Sequence, residues 1–201
     1  MHFGIDFDNT IVSYDVLFHK VACEWELIDI GIPANKVVIR DRLRTMGLED
    51  RWTEMQGHVY GARMDEAEAY PGAIEFITRA IDKGHHVSIV SHKTRWPFIG
   101  PPYDLHAAAQ AWIDHHLLPQ LTSPDGRFSA YFELTKVDKL ARIGDCGCTV
   151  FIDDLPEILL APNFPTVAKR LLFDPEAQHQ TVTGLHCVNS WQQIASLLAL
   201  T

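Results

Sequence analysis

FGIDFDNT, residues 3–10, is the stretch from which the fold can be read. A short apolar run, Phe3, Gly4 and Ile5 with Phe7, leads directly into Asp6, Asp8, Asn9 and Thr10. The pattern predicts a buried strand that ends in a cluster of acidic and polar groups. Alternation along the strand puts Asp6 at its carboxyl end, with Asp8 reaching round the following turn toward the same point. Two carboxylates held so close repel, and a metal cation or a shared proton relieves them.

Outward from this stretch, strands and helices alternate. His86–Val90 is a β-branched run that ends at Ser91-His92-Lys93-Thr94-Arg95, and residues 127–132 form a further short strand. Residues 148–152 read as a fully apolar strand of the buried parallel kind, closed by Asp153-Asp154, and Val167–Phe173 as a fifth strand. Helical spacing is expected from Pro71 to Gly84, over 105–117, over 136–143 with Val137, Leu140 and Ala141 as its inner face, and after the cap Ser190. Residues 96–103 and 119–126 are proline- and glycine-marked loops. Such alternation predicts an α/β fold: an open parallel Rossmann-like sheet with helices on both faces.

Residues 13–69 do not alternate in this way. They read as a helical insertion, with helices over about 14–30 and 49–60 and a segment at 34–46 that suits a helix or a strand. The expected division is a main body of 1–12 and 70–201 and an inserted module of 13–69. Trp25, Trp52 and Tyr60 are expected in the module's own core.

Composition narrows the function. The chain has 201 residues, 47% hydrophobic, enough for a substantial core. A net charge of -9 argues against binding a nucleic-acid backbone. The acidic N-terminal stretch is unlike a signal peptide, and no apolar run approaches the roughly 18 residues of a membrane span, so a cytoplasmic protein is expected. Cys23, Cys146, Cys148 and Cys187 are scattered as reduced thiols would be, and the 11 histidines lack zinc-site spacing. No protein partner can be inferred.

In an open parallel sheet, ligands gather beyond the carboxyl ends of the strands. Asp6, Asp8, Ser91, Asp153 and Asp154 all follow strands, and Lys136 stands at a helix entrance just before the last of them. Three carboxylate oxygens about one point suit Mg²⁺, which could neutralise a phosphate while a carboxylate attacks phosphorus. Lys139, one turn further along the helix, is the rival of Lys136, which is favoured for its place at the entrance.

These four segments, DFDNT, Ser91, Lys136 and FIDD at 151–154, resemble the four ordered motifs of the haloacid dehalogenase-like superfamily of phosphohydrolases. The resemblance implies that Asp6 is a nucleophile forming an aspartyl-phosphate and that Asp8 is the general acid and base. Ser91 would hydrogen-bond a phosphoryl oxygen and Lys136 would balance the charge. Mg²⁺ would be held by Asp6, Asp153 and the backbone carbonyl of Asp8, with Asp154 at the metal's edge. An acid at Asp8 favours phosphate esters over carbon–halogen or phosphonate substrates. The insertion lies where the family places a helical cap that selects the substrate. Candidate substrate contacts are Asn9 and Thr10 in the first motif, His92, Lys93 and Arg95 beyond Ser91, and Arg42 and Arg44, with Arg40 and Arg51, in the insertion. The expected activity is Mg²⁺-dependent hydrolysis of a small phosphorylated metabolite. A nucleotide or nucleic-acid-end phosphatase, a phosphomutase and a non-catalytic binding module of the same fold are the alternatives.

Overall fold

The computed structural model describes residues 1–122, 126–166, 168–179 and 182–200. The elements in chain order begin with strand β1 (His2–Ile5), strand β2 (Val12–Ser13) and helices α1 (Asp15–Glu24), α2 (Lys36–Thr45) and α3 (Glu49–Tyr60). Strand β3 (Glu68–Ala69), helix α4 (Ala73–Asp82), strand β4 (His86–His92), helix α5 (Leu105–Trp112) and strand β5 (Phe128–Glu133) follow. Helix α6 (Lys136–Asp145), strand β6 (Val150–Asp153), helix α7 (Pro156–Leu159), strands β7 (Lys169–Phe173) and β8 (His186–Val188) and helix α8 (Trp191–Leu197) complete it.

Two compact units result. The first takes in residues 1–12, 69–93 and 116–201, and the second residues 13–68 and 94–115. The sequence pattern places residues 94–115 with the main body, whereas the structure groups them with residues 13–68.

The first unit is built on a six-stranded sheet in the order β5-β4-β1-β6-β7-β8, with all neighbours parallel. From β1 the chain runs outward through β4 to β5, then crosses back to β6 on the other side of β1. Strand order therefore reverses at β1, and in such sheets the crevice at the reversal is where ligands bind. Successive strand residues face opposite sides, and Val87–Ser91 of β4 are all buried. The sheet is accordingly covered on both faces, as an α/β protein of parallel strands requires.

Three local expectations change. Pro71 does not open α4; Gly72 precedes the helix with φ 89°, a left-handed value that a helical residue cannot hold, so the helix begins at Ala73. Strand β8 is an addition to the expected strands, its three residues, His186-Cys187-Val188, being too few to show a period. On α6 the buried residues are Lys139, Leu140 and Ile143, whereas Val137 is 66% exposed. Val167, the expected start of β7, and residues 123–125 of the expected loop lie outside the described residues.

In the second unit, the ambiguous segment is a helix. The Asn35 side chain accepts from the Val38 amide and caps α2, which settles the first turn that Val37-Val38-Ile39 left open. Phe18 of α1 stacks on Trp52 of α3 at 4.9 Å, forming the centre of this unit. The segment 94–115 is closed on itself by the hydrogen bond from Leu105 N to Arg95 O and tied to residues 13–68 by that from Trp112 Nε1 to Ala67 O.

Candidate active site

Parallel pairing brings the acidic ends of β1 and β6 side by side. Gly4 and Ile5 are in register with Phe151 and Ile152, and the Asp6 amide extends the ladder by donating to Ile152 O at 2.9 Å. Asp6 and Asp153 thus emerge together at the carboxyl edge. The turn after Phe7 is held tight: Ile11 N and Val12 N both donate to Phe7 O, while Asn9 adopts φ 57°, a left-handed conformation that asparagine tolerates better than most residues. Trp191 Nε1 donates to Thr10 O and anchors the turn against α8.

On the other side of β1, the neighbouring strand β4 supplies Ser91. Ser91 Oγ donates to Asp6 Oδ1 at 2.9 Å, and both residues are buried. The lysine that reaches the acids is Lys139. Its ammonium donates to Asp6 Oδ1 and to Asp153 Oδ2, each at 2.6 Å, and its side chain is 1% exposed. Lys136, the residue favoured from sequence, points elsewhere and pairs with Glu157 at 3.2 Å in the open. The cause is position along the helix and not its phase. Residues 136, 139, 140 and 143 fall on one helical stripe, but Thr135 caps α6, so Lys136 lies in the exposed first turn, whereas Lys139, one turn further in, is buried with Leu140 and Ile143.

Asp153 is fixed further by accepting from Leu155 N at 2.9 Å. Asp154 lies beside Thr10, whose hydroxyl is directed at its Oδ1 across 3.5 Å. Asp6, Asp153 and Asp154 each present an oxygen, and these atoms all lie within 4.8 Å of one another. An anionic, all-oxygen donor set of this spacing fits a hard divalent cation such as Mg²⁺. The Asp8 side chain is turned to Lys93, whose ammonium donates to both carboxylate oxygens at 2.9 and 2.6 Å. Any share of Asp8 in holding a cation falls to its backbone carbonyl.

The electrostatics are those of crowded acids. Burial pushes the Asp6 carboxyl up to about 7; Lys139 opposes the shift, and the carboxylates of Asp153 and Asp8 add to it. Burial pulls the Lys139 ammonium down, but Asp153 and Asp6 outweigh it and the net shift is upward, so Lys139 stays charged.

Other candidate contacts are engaged differently. Thr10 is fully buried, and His92 bonds Leu134 O at 3.2 Å. Arg95 pairs with Asp104, Arg44 with Glu49, Arg40 with Asp41 and Arg51 with Glu54, all within the second unit. Arg42 is exposed on α2 of the same unit. Two features were not read from sequence. Helical spacing to Leu140 and Ile143 is shared by Lys136 and Lys139 and does not choose between them, whereas the pairing of Lys93 with Asp8 is signalled by the two-residue spacing of Ser91 and Lys93 beside that of Asp6 and Asp8.

No protein-family model matches the chain, and no curated protein matches it. Solved structures match over nearly its whole length. A HAD family hydrolase from Deinococcus radiodurans R1, with bound phosphate and sodium, has a TM-score of 0.59 at 14% identity, covering 99% of this chain and 95% of that one. A haloacid dehalogenase-like family hydrolase from Xanthomonas campestris scores 0.56 at 12% identity, covering 100% and 95%. A HAD-superfamily hydrolase from Ehrlichia chaffeensis scores 0.54 at 13% identity, covering 98% and 95%. At such identities the likeness is one of fold. Together with the six parallel strands that reverse order at β1, it identifies the chain as having the haloacid dehalogenase-like fold.

Proposed function

We propose that the protein is a Mg²⁺-dependent phosphomonoester hydrolase that acts on a small phosphorylated metabolite through an aspartyl-phosphate at Asp6. The observation that carries this reading is the convergence on Asp6 of Ser91 at 2.9 Å and Lys139 at 2.6 Å, at the switch point of the sheet and beside two further acids. A fold neighbour with bound phosphate and sodium is in keeping with it.

In the first step an Asp6 carboxylate oxygen attacks phosphorus and the bond from phosphorus to the ester oxygen breaks. The leaving oxygen takes the proton held by the Asp8 carboxyl group. In the second step Asp8, now a carboxylate, removes a proton from water while the water oxygen attacks phosphorus. The bond from phosphorus to Asp6 then breaks, which restores the carboxylate and releases inorganic phosphate. Ser91 and Lys139, which both donate to Asp6 Oδ1, fix the nucleophile and set two donors beside the place where charge would collect on the phosphoryl oxygens. Mg²⁺, held by Asp6, Asp153 and Asp154, would supply charge neutralisation between the phosphate and the nucleophile. Residues 13–69 would serve as the helical cap that selects the substrate, with Arg42 and Arg44 among its candidate anion contacts.

A panel of phosphorylated metabolites, including sugar phosphates and nucleotides, tests the proposal. Phosphate release that needs Mg²⁺ and is lost in Asp6→Asn is the expected result. Equal, metal-independent turnover by both proteins would overturn it, and transfer to a second substrate hydroxyl would make the enzyme a mutase.

A further inference from the structure

The Ser91 and Lys93 side chains leave the same side of one extended segment, two residues apart, and meet Asp6 and Asp8, which are also two residues apart. The parallel register with β4 ends at Ile5 opposite Ile89 and, continued, would set Ser91 opposite Phe7, so it is the departure of the chain from β1 after Ile5 that brings the two acids to these side chains. Lys93 is also held from behind, because its amide donates to Glu133 O of β5 at 2.9 Å. Its side chain is 4% exposed, against 20% for Asp8. The ammonium touches both Asp8 oxygens and lies 6.0 Å from the centroid of the Phe7 ring. A lysine so deeply buried and so firmly mounted is an unusual partner for a carboxylate on a turn. An acid that must reach a leaving oxygen needs placement within about 2.6–3.2 Å, and Asp8 sits on a turn beside like charges that would drive it outward.

We propose that Lys93 is the positioning residue of Asp8: it clamps both oxygens of the carboxylate in the resting site and, when Asp8 carries its proton on one oxygen, keeps hold of the other, so that the protonated oxygen is presented to the leaving oxygen. This rests on the phosphatase reading above. Lys93 acts through Asp8, so its loss is felt where the leaving group needs a proton and little where it does not.

The test compares Lys93→Met and Lys93→Arg with the parent, using glycerol 2-phosphate, whose alkoxide is a poor leaving group, and p-nitrophenyl phosphate, whose phenolate is a good one. The quantity compared is kcat/KM, which reports the steps up to loss of the leaving group. Lys93→Met is expected to lose about 100-fold on the aliphatic ester and less than about 10-fold on the aryl ester, the size of a general-acid contribution. Lys93→Arg should regain most of the loss. Equal losses on both esters would overturn the proposal, since a merely structural defect does not sense the leaving group. A second measurement needs no turnover: the urea midpoints of metal-free Lys93→Met, Asp8→Ala and the double variant. With the clamp present the double variant is more stable than the summed single losses imply, and strict additivity would refute the clamp. Absence of turnover by the parent on every ester would sink the phosphatase reading and the catalytic half of this proposal, and the midpoints alone would then decide whether Lys93 fixes Asp8.

Discussion

Substituting the two lysines of α6 separately, Lys139→Met and Lys136→Met, should give opposite extremes of effect. Lys139 lies 2.6 Å from both Asp6 and Asp153 and is almost wholly buried. At an effective dielectric constant of about 20, each contact carries about 6 kcal/mol of attraction. Burial of the ammonium costs several kcal/mol of that sum, and losing one partner of a buried set leaves the remaining charges uncompensated, at a net loss of about 3–5 kcal/mol. Lys136 pairs with Glu157 at 3.2 Å, with side chains 51% and 56% exposed, so solvent and salt screen the pair and its loss costs below about 1 kcal/mol. Urea unfolding in a chelator at pH 8, followed by tryptophan fluorescence, reads the difference. With a slope of about 2 kcal/mol per molar urea, Lys139→Met should lower the midpoint by about 2 M and Lys136→Met by less than about 0.5 M. Added Mg²⁺ should recover part of the Lys139→Met loss, because a cation at Asp6, Asp153 and Asp154 replaces the missing charge. Turnover should fall about 100-fold or more for Lys139→Met alone. Equal midpoints for the two variants, or a larger loss of turnover in Lys136→Met, would refute the assignment of Lys139.

Asp6→Asn should abolish turnover and yet stabilise the metal-free protein at pH 8. Burial raises the folded-state carboxyl from 3.8 to about 7, so the folded form binds the proton more tightly than the unfolded chain and ionisation erodes stability as pH rises through that window. The gain from asparagine should be full above about pH 7 and vanish below about pH 4, and a gain equal at both ends of that range would contradict the linkage. Gly4→Ala should destabilise the fold by about 1–3 kcal/mol or more, because a Cβ there meets the Phe151 ring at 2.4 Å and Cys148 Sγ at 2.7 Å; an unchanged melting temperature would show that β6 can yield. Cys148, whose thiol burial pushes up to about 12, should resist alkylation in the native protein at pH 8 and react on unfolding, as mass spectrometry of the labelled peptide would reveal.

Local patterns disclosed the parts of the site that lie at strand ends. FGIDFDNT and FIDD are each an apolar run closed by acids, and a parallel sheet brings such ends to one edge regardless of what lies between them. The same reasoning fails at α6, where assigning Val137, Leu140 and Ala141 to the inner face rotates the helix by about one residue and leaves Lys139 outside it, while the preference for Lys136 rests on its place at the helix entrance, one turn short of the acids. It failed again at β4, where ending the strand at Val90 hid the alternation that continues through Ser91 to Lys93. Helix α5 was clear from its period, yet its grouping with 13–68 depends on contacts such as Trp112 with Ala67 that no sequence window spans.

Both lysines were obscured for a single physical reason. An ammonium group is ordinarily found in water, and a sequence rule therefore assigns lysine to the surface. What reverses the assignment here is anionic charge supplied from remote segments: Asp6 is 133 positions from Lys139, and Asp8 is 85 positions from Lys93. Each acid is equally unsuited to its place until its lysine arrives. Neither member of a pair can be placed without the other, so the site becomes readable only once the order β4-β1-β6 has brought the three strands together. The interdependence has an energetic counterpart: each lysine offsets the burial and mutual repulsion of the acids it meets, so removing either ammonium exposes the burial cost of the carboxylates that remain, whereas removing the most crowded acid, Asp6, relieves it.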